Sequence, residues 1–446
     1  MQSLWREQTE KIEVNQKEGG TKWDVIVIGG GMAGILTAYY LQEQGKKVLV
    51  LEANEIASGQ TERTTAKITS QHGLKYSTLI KTVGKEKAKL YADANEMAIN
   101  EYERLISELG IECDFKRIPA YLYTTEDTKK LEEEYKAAVS LGIDALFTSE
   151  TELPFIVRGA VGFRNQAQFS PLLFLQEVVK KLLIKEHSKV TDIIGNQVIT
   201  EKGIFSAKQI VVATHYPFID IPGFYFLRQH QERSYVLALY DCEKIEGMYY
   251  SIDKQGLSFR QAGEYLLLGG SSHRTGSKKA EEAYDFLEKV KEAFYPESGE
   301  IMRWSAQDCM PHDGIPFIGK YSVLKSNLYV ATGFQKWGMT SSMIAALLLR
   351  DEICGIKNPY AELFSPQRIN FRAGIVNFML DVGMSVKGLF SGWILRKKPR
   401  CPHMGCELKW NPSEKSWDCP CHGSRFEEDG RLLDNPAEKG IKKDRP

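Results

Sequence analysis

The sequence has no excess of either charge: lysine plus arginine number 58, and aspartate plus glutamate number 58. A balanced chain projects no global field toward a polyanion, so nothing steers it to nucleic acid, and any partner is chosen locally. It also lacks the roughly 18 consecutive apolar residues of a spanning helix. The opening MQSLWREQTEKIEVNQKEGG has neither an apolar core segment nor a small-residue cleavage site. A cytoplasmic protein with no transmembrane segment is expected. Cysteine is scarce and unevenly spread. Cys113, Cys242, Cys309 and Cys354 are scattered without pattern, as reduced thiols are, and the other four of the eight lie within residues 401–421. What remains is an ordinary globular composition, 43% hydrophobic and 26% charged over 446 residues, enough for two or three domains with full cores.

The clearest organised stretch is WDVIVIGGGMAGILTAYYLQEQGKKVLVLEA, starting at Trp23. Residues 24–28 form a continuous β-branched run that suits a strand buried on both faces. A helical pattern over 32–44 closes at Gly45, and 47–51 reads as the next strand, giving a βαβ unit. Gly29, Gly31 and Gly34, with Ala33 beside them, stand in GxGxxG spacing between strand and helix. The first glycine permits a tight turn, the second a close approach to pyrophosphate, and the third close packing of helix on strand. The helix N-terminus then faces the phosphates with free NH groups. Glu52, followed by Ala53, ends the second strand, where a carboxylate accepts from both ribose hydroxyls.

FAD and NAD share this fingerprint. The small and hydroxyl residues of EIASGQTERTTAKITSQHG, residues 55–73, favour the longer cofactor, FAD. Here the chain resembles the FAD-dependent oxidoreductases that include D-amino-acid oxidase, glycine oxidase and monomeric sarcosine oxidase, over about residues 24–364. AKQIVVATH (207–215), DGIPFIG (313–319) and NLYVATGFQKWGMTSSMIAALLL (327–349) carry the resemblance further. It implies that Gly333, Trp337, Gly338, Met339 and Thr340 meet the flavin ring, that Thr64, Thr65 and Ala66 line the pyrophosphate and ring, and that Val190 touches adenine. A helix N-terminus at the ring would stabilise the negative charge of reduced flavin. Some relatives attach flavin covalently near the position of Cys309, but the spacing from Cys309 to Asp313 is shorter here, and a plain core cysteine is the expectation. Between these segments, residues 79–160 read as mostly helical, and 225–300 contain strand-like stretches that would roof the flavin. Arg228, His230, Arg233, Tyr235, His273 and Arg274 are the polar candidates for holding substrate there. An arginine facing the ring would hold a carboxylate; solvent-facing charge is the alternative for each.

The tail CPHMGCELKWNPSEKSWDCPCHGSRF, residues 401–426, holds Cys401-x-His403, fifteen intervening residues, then Cys419-x-x-His422. This resembles the Rieske [2Fe-2S] signature. By that resemblance Cys401 and Cys419 bind one iron, His403 and His422 bind the other, and Cys406 and Cys421 are bridged. Two neutral imidazoles in place of two thiolates raise the potential to roughly −150 to +300 mV, against about −400 mV for four-cysteine plant ferredoxins. Ser424 matches a hydroxyl that bonds a bridging sulfide. Phe426 stands where high-potential relatives have tyrosine, which implies the lower part of that range. A zinc site would leave two cysteines idle, and a disulfide knot would leave both histidines without a role. Strands that usually precede the first cluster loop are missing before Cys401, so cluster and disulfide must supply much of the stability, or the tail docks on the flavin-binding unit.

The expected class is therefore α/β: a Rossmann-like FAD-binding domain in three pieces (20–78, 161–222, 301–364), an α+β substrate or cap domain (79–160, 223–300), an amphipathic basic connector (365–398), and a shortened Rieske module (399–446). The connector would pack on the flavin domain or touch an anionic membrane surface. A flavin takes two electrons together and a [2Fe-2S] cluster carries one, so the pair implies a dehydrogenase of a small amine, amino acid or hydroxy acid. Electrons would leave to a soluble carrier or a quinone-linked acceptor. Reversed flow, from cluster to flavin, and a redox sensor switched by cluster or disulfide are the alternatives. Polar groups facing the flavin favour an enzyme; apolar walls favour a sensor.

Overall fold

The computed structural model describes residues 2–15, 20–254, 256–368, 383 and 399–441. β1 (Lys22–Ile28) is apolar along most of its length and is buried on both faces, as its β-branched run requires. Helix α1 (Met32–Glu43) follows, with Met32 to Leu41 all buried. The chain turns back into β2 (Val48–Leu51), parallel to β1 with Val25 opposite Val48. β3 (Gly203–Val212) lies on the other side of β1, also parallel.

From β3 the chain passes into a second sheet through β4 (Gln229–Tyr240), β5 (Tyr265–Arg274) and β6 (Gly299–Pro311). It returns as β7 (Lys325–Thr332), parallel to β3, and enters α2 (Gly338–Cys354), which packs against α1. The first sheet runs Phe317–Ser322, β7, β3, β1, β2, Ile184–Lys185. In the second, of nine strands, β6 is the edge and β4 and β5 follow it.

Two expected boundaries cut through strands. Gly159–Gln168 and β6 belong over their whole lengths to the nine-stranded sheet. The reason is pairing: β6 runs antiparallel to β4 from Gln229 opposite Pro311 to Tyr240 opposite Gly299. Residues 79–160 are only partly helical. Lys75–Val83, Lys85–Leu109 and Lys129–Ser140 are helices, but Lys116–Thr124 and Ala145–Thr148 are strands. KRIPAYLYT is rich in aromatic and branched residues, and it pairs along Gly159–Gln168.

The tail forms an antiparallel meander: β8 (Lys409–Asn411), β9 (Ser416–Asp418), β10 (Arg425–Glu427) and β11 (Leu432–Asp434). These strands come after the first cysteine loop rather than before it. Their own core is small, built on Leu408, Phe426, Ala437 and four cysteines. The tail is tied to β4 and β6 by side chains: Gln231 and Gln307 bond its loop carbonyls and Arg233 pairs with Glu414. The connector expected at 365–398 lies outside the described residues apart from 365–368 and Gly383.

Candidate functional site

The turn after β1 is built as a nucleotide cradle. Gly29 has φ +109°, which a side chain rarely adopts, and a Cβ there would strike the Ala213 carbonyl. A Cβ on Gly34 would collide with the Gly29 carbonyl oxygen. Gly31 is the N-cap of α1, whose first turn (Gly31, Met32 and Ala33) lines the cavity, with the Met32 NH donating to Thr61 Oγ1 at 3.0 Å. Glu52 accepts 2.7 Å hydrogen bonds from the NH groups of Gly30 and Asn54, and burial pushes its carboxyl up.

A cavity of about 640 Å³ opens above this turn, within the range for cofactor sites. Gly29, Gly31, Ala33, Glu52 and Ala53 line it, as do Thr64, Thr65 and Val190, and Trp337, Gly338 and Met339. Four expected residues do not. Gly34 serves the packing of α1 on β1. Ala66, at φ +53°, is fully buried, and Gly333, at φ +75°, turns the chain against Pro311. Thr340 donates its hydroxyl to the Thr69 carbonyl at 3.2 Å. Cys309 is not among the lining residues either; its sulfur lies 3.4 Å from His215 Nε2.

The polar candidates sit differently than expected. On β4 the side chains of Gln231, Arg233 and Tyr235 share one face, by the two-residue period, and that face meets the tail. Arg233 is fully buried and pairs with Glu414. Tyr235 borders the cavity, but its hydroxyl lies 3.2 Å from His273 Nε2 and 3.4 Å from Asn411 Nδ2. Arg274 donates to the carbonyls of Pro420 at 3.2 Å and Cys421 at 2.9 Å. Arg228 stacks over Phe317, and His230 lies 3.5 Å from Glu232. Three of the six, Arg233, Tyr235 and Arg274, therefore grip or border the tail instead of filling a substrate site, and His273 backs Tyr235.

The polar groups that do line the cavity include Lys67, Lys336 and Asp308. Burial, then the neighbouring Arg260, pushes the Lys67 ammonium down to about 7. Burial pushes the Asp308 carboxyl up to about 7, against the pull of Lys336. Lys336 donates to Ser272 Oγ at 2.6 Å and pairs with Glu232 at 3.2 Å. Lys336 stands inside the glycine loop GFQKWG, and Lys67 stands two positions after Thr65, so both carry a sequence signal through the motifs beside them. Nothing in the sequence marks Leu433, Asp434, Asn435, Glu438 and Lys439, tail residues that also line the cavity.

In the tail, Cys406 and Cys421 are joined in a disulfide that ties the two loops together, and Cys401 and Cys419 are free and buried. Hydrogen bonding between the two adjacent thiols holds Cys401 below the ordinary thiol range and pushes Cys419 above it. The His403 and His422 rings lie 5.0 Å apart, with Phe226 edge-on to both. His403 Nδ1 is buried without a hydrogen-bond partner, while its Nε2 lies 3.1 Å from the Asp220 carboxylate. Two adjacent thiols and an imidazole nitrogen left for a metal fit a cluster held by two cysteines and two histidines. The sulfurs of Cys406, Cys419 and Cys421 also lie within 4.8 Å of one another, but the disulfide uses two of them.

One strand layer separates the two sites. On β6, Ala306 and Asp308 line the cavity, whereas the intervening Gln307 donates to the Gly423 carbonyl at 2.9 Å. On β4, Ser234 lines the cavity, and Gln231 donates to the His422 carbonyl at 2.8 Å. A buried charge network locks the tail there: Glu414 pairs with Arg233 and Arg425, and Arg425 also reaches Asp418 and Asp434. Burial alone would push Glu414 up, but the two arginines hold it at about 2.

Comparison with known proteins agrees with this geometry. The profile described as FAD dependent oxidoreductase matches residues 24–352, and that described as Rieske [2Fe-2S] domain matches 391–444. YhfW of Bacillus subtilis (strain 168), a Rieske 2Fe-2S iron-sulfur protein by name, is 35% identical over 99% of this chain and 97% of its own. Cytochrome b6-f complex iron-sulfur subunit 3 of Nostoc sp. is 45% identical over 42 residues, 9% of this chain and 24% of that protein. Among solved structures, glycine oxidase from Geobacillus kaustophilus superposes with a TM-score of 0.66 at 17% identity, covering 78% of this chain and 100% of that one. L-proline dehydrogenase from P. horikoshii gives 0.65 at 17% identity, covering 78% and 98%. At such identities the structures speak for the fold alone. No helix among the described residues is long and apolar enough to cross a membrane.

Proposed function

This chain belongs to the FAD dependent oxidoreductase family and carries a Rieske [2Fe-2S] domain, and on that premise we propose that it oxidises a small amine, amino acid or hydroxy acid and releases the electrons singly through its tail. Bound FAD supplies a two-electron hydride acceptor and the bound cluster a one-electron carrier. The observation that carries this reading is the single strand layer: Ser234 of β4 and Ala306 and Asp308 of β6 line the cavity, while Gln231 and Gln307 of the same strands bond the cluster loops. Short separation through packed protein supports electron exit toward the tail, to a soluble carrier or a quinone-linked acceptor.

The cavity walls support an enzyme over a sensor, because Lys67, Asp308, Lys336 and Ser272 put charge and hydrogen-bond donors there. The cavity wall carries Arg63, Lys67, Lys189, Lys336 and Lys439, and of these the reading assigns a substrate carboxylate to Lys67 or Lys336, in the role expected of an arginine. Glu232 already engages Lys336, which leaves Lys67 the stronger candidate. Asp308, on the cavity wall, is the group this reading assigns to orienting a substrate amine or hydroxyl. Four scattered free thiols, Cys113, Cys242, Cys309 and Cys354, support a reducing compartment, the cytoplasm.

An anaerobic screen of amines, amino acids and hydroxy acids, read as loss of flavin absorbance, tests the reading. Lys67→Met is expected to raise KM for a carboxylate-bearing substrate by about tenfold to a hundredfold, the worth of one charged hydrogen bond. Reduction of the flavin only by electrons delivered first to the cluster would instead establish reversed flow.

A further inference from the structure

His403 has one nitrogen left for a metal and the other engaged across a domain boundary. Nδ1 is buried with no hydrogen-bond partner, and Nε2 lies 3.1 and 3.2 Å from the two oxygens of Asp220. Asp220 belongs to the loop that follows β3, 183 positions away in the chain. Its side chain is 42% exposed, against 5% for His403. A neutral imidazole that gives one nitrogen to iron must carry its proton on the other, so Nε2 donates and the carboxylate accepts.

We propose that Asp220 is a positioning residue for the cluster, holding the His403 proton at Nε2 and lowering the reduction potential of the docked tail. The inference rests on the Rieske assignment of His403, not on the substrate or on the direction of electron flow. Reduction of a two-cysteine, two-histidine [2Fe-2S] centre takes its charge from zero to minus one, whether the electron comes from reduced flavin or from an external one-electron carrier. A carboxylate on a ligand imidazole makes that ligand more basic and disfavours the added electron. The same linkage works in reverse: whatever factor Asp220 takes from the reduction equilibrium, reduction takes from the Asp220–His403 contact. A cluster that has received its electron is held less tightly at this point, and a tail lifted from the loop has a higher potential than a docked one.

The test is an EPR-monitored redox titration of the full-length holoprotein, with iron and sulfide quantified in each variant. Asp220→Asn keeps an acceptor but loses the charge. Its cluster midpoint is expected to rise by the equivalent of about a tenfold change in the reduction equilibrium, about 59 mV for one electron, with iron content unchanged. Asp220→Glu restores the charge and is expected to recover most of the native midpoint. An Asn variant with the native midpoint would overturn the proposal. A Glu variant that shifts as far as Asn would also overturn it, since charge would then not be the cause. Loss of iron from the Asn variant would do so as well, by making Asp220 a structural prop. These outcomes are distinct from failure of the Rieske assignment itself, in which the native protein shows no reducible cluster.

Discussion

Replacing Glu414 by alanine should release the tail. Its carboxylate stands between Arg233 and Arg425, whose side chains are 0% and 3% exposed, and is itself 7% exposed. Removing one partner from a buried pair leaves an uncompensated charge and costs about 3–5 kcal/mol. Arg425 keeps Asp418 and Asp434, so the lower end applies and the penalty falls mostly on Arg233. About 3 kcal/mol is roughly a hundredfold in the docking equilibrium. Hydrogen exchange read by mass spectrometry should show that factor as faster exchange across residues 409–434 and the facing stretches 229–235 and 305–309, with α1 unchanged. The pH dependence has a defined sign. Glu414 is held at about 2 when docked, so its contribution is complete above its ordinary value near 4.5 and is lost as pH falls from there toward 2. Native protein should keep the tail protected at pH 5, where the variant does not. Unchanged exchange in the variant, or acceleration spread evenly over the chain, would refute the clamp.

Three further outcomes are expected. Gly34→Ala, whose Cβ would collide with the Gly29 carbonyl, should lower flavin per chain about tenfold or more, the cost of overpacking a rigid turn; flavin release and absorbance measure it. Lys67, pushed to about 7 by burial and Arg260, is cationic below that pH and neutral above it. Steady-state kinetics should therefore show kcat/KM for an anionic substrate falling as pH rises through about 7, and Lys67→Met should flatten that limb. Serine at both Cys406 and Cys421 opens a loop of 15 positions, worth about 3 kcal/mol in the chain-entropy account. Urea titration followed at cluster absorbance should show the tail melting earlier, with the flavin signal in place.

The parts of the site that depend on local spacing were legible in the chain. GxGxxG needs its glycines because backbone passes within contact of backbone at Gly29 and Gly34, and Cys401-x-His403 with Cys419-x-x-His422 puts four donors on two adjoining loops. The substrate candidates were less legible for one physical reason. Period-two alternation shows that Gln231, Arg233 and Tyr235 share a face, but not what covers that face. The cover is the tail, more than 160 residues further on, and its docking turns would-be substrate arginines into anchors. Asp220 gave no signal at all: a single acid in THYPFIDIPG acquires its meaning only when His403 arrives beside it. The expected boundary at residue 301 cuts β6 because an edge strand rich in polar residues looks alike in either sheet until its partner is known.

The central claim is that electrons cross the strand layer from cavity to tail. The direct measurement is rapid-freeze EPR after anaerobic mixing of holoprotein with a substrate that bleaches its flavin. The account predicts the signal of a reduced [2Fe-2S] cluster appearing within the time of one turnover, and its delay or loss in Glu414→Ala. A flavin that is fully reduced while the cluster stays oxidised and EPR-silent would contradict it.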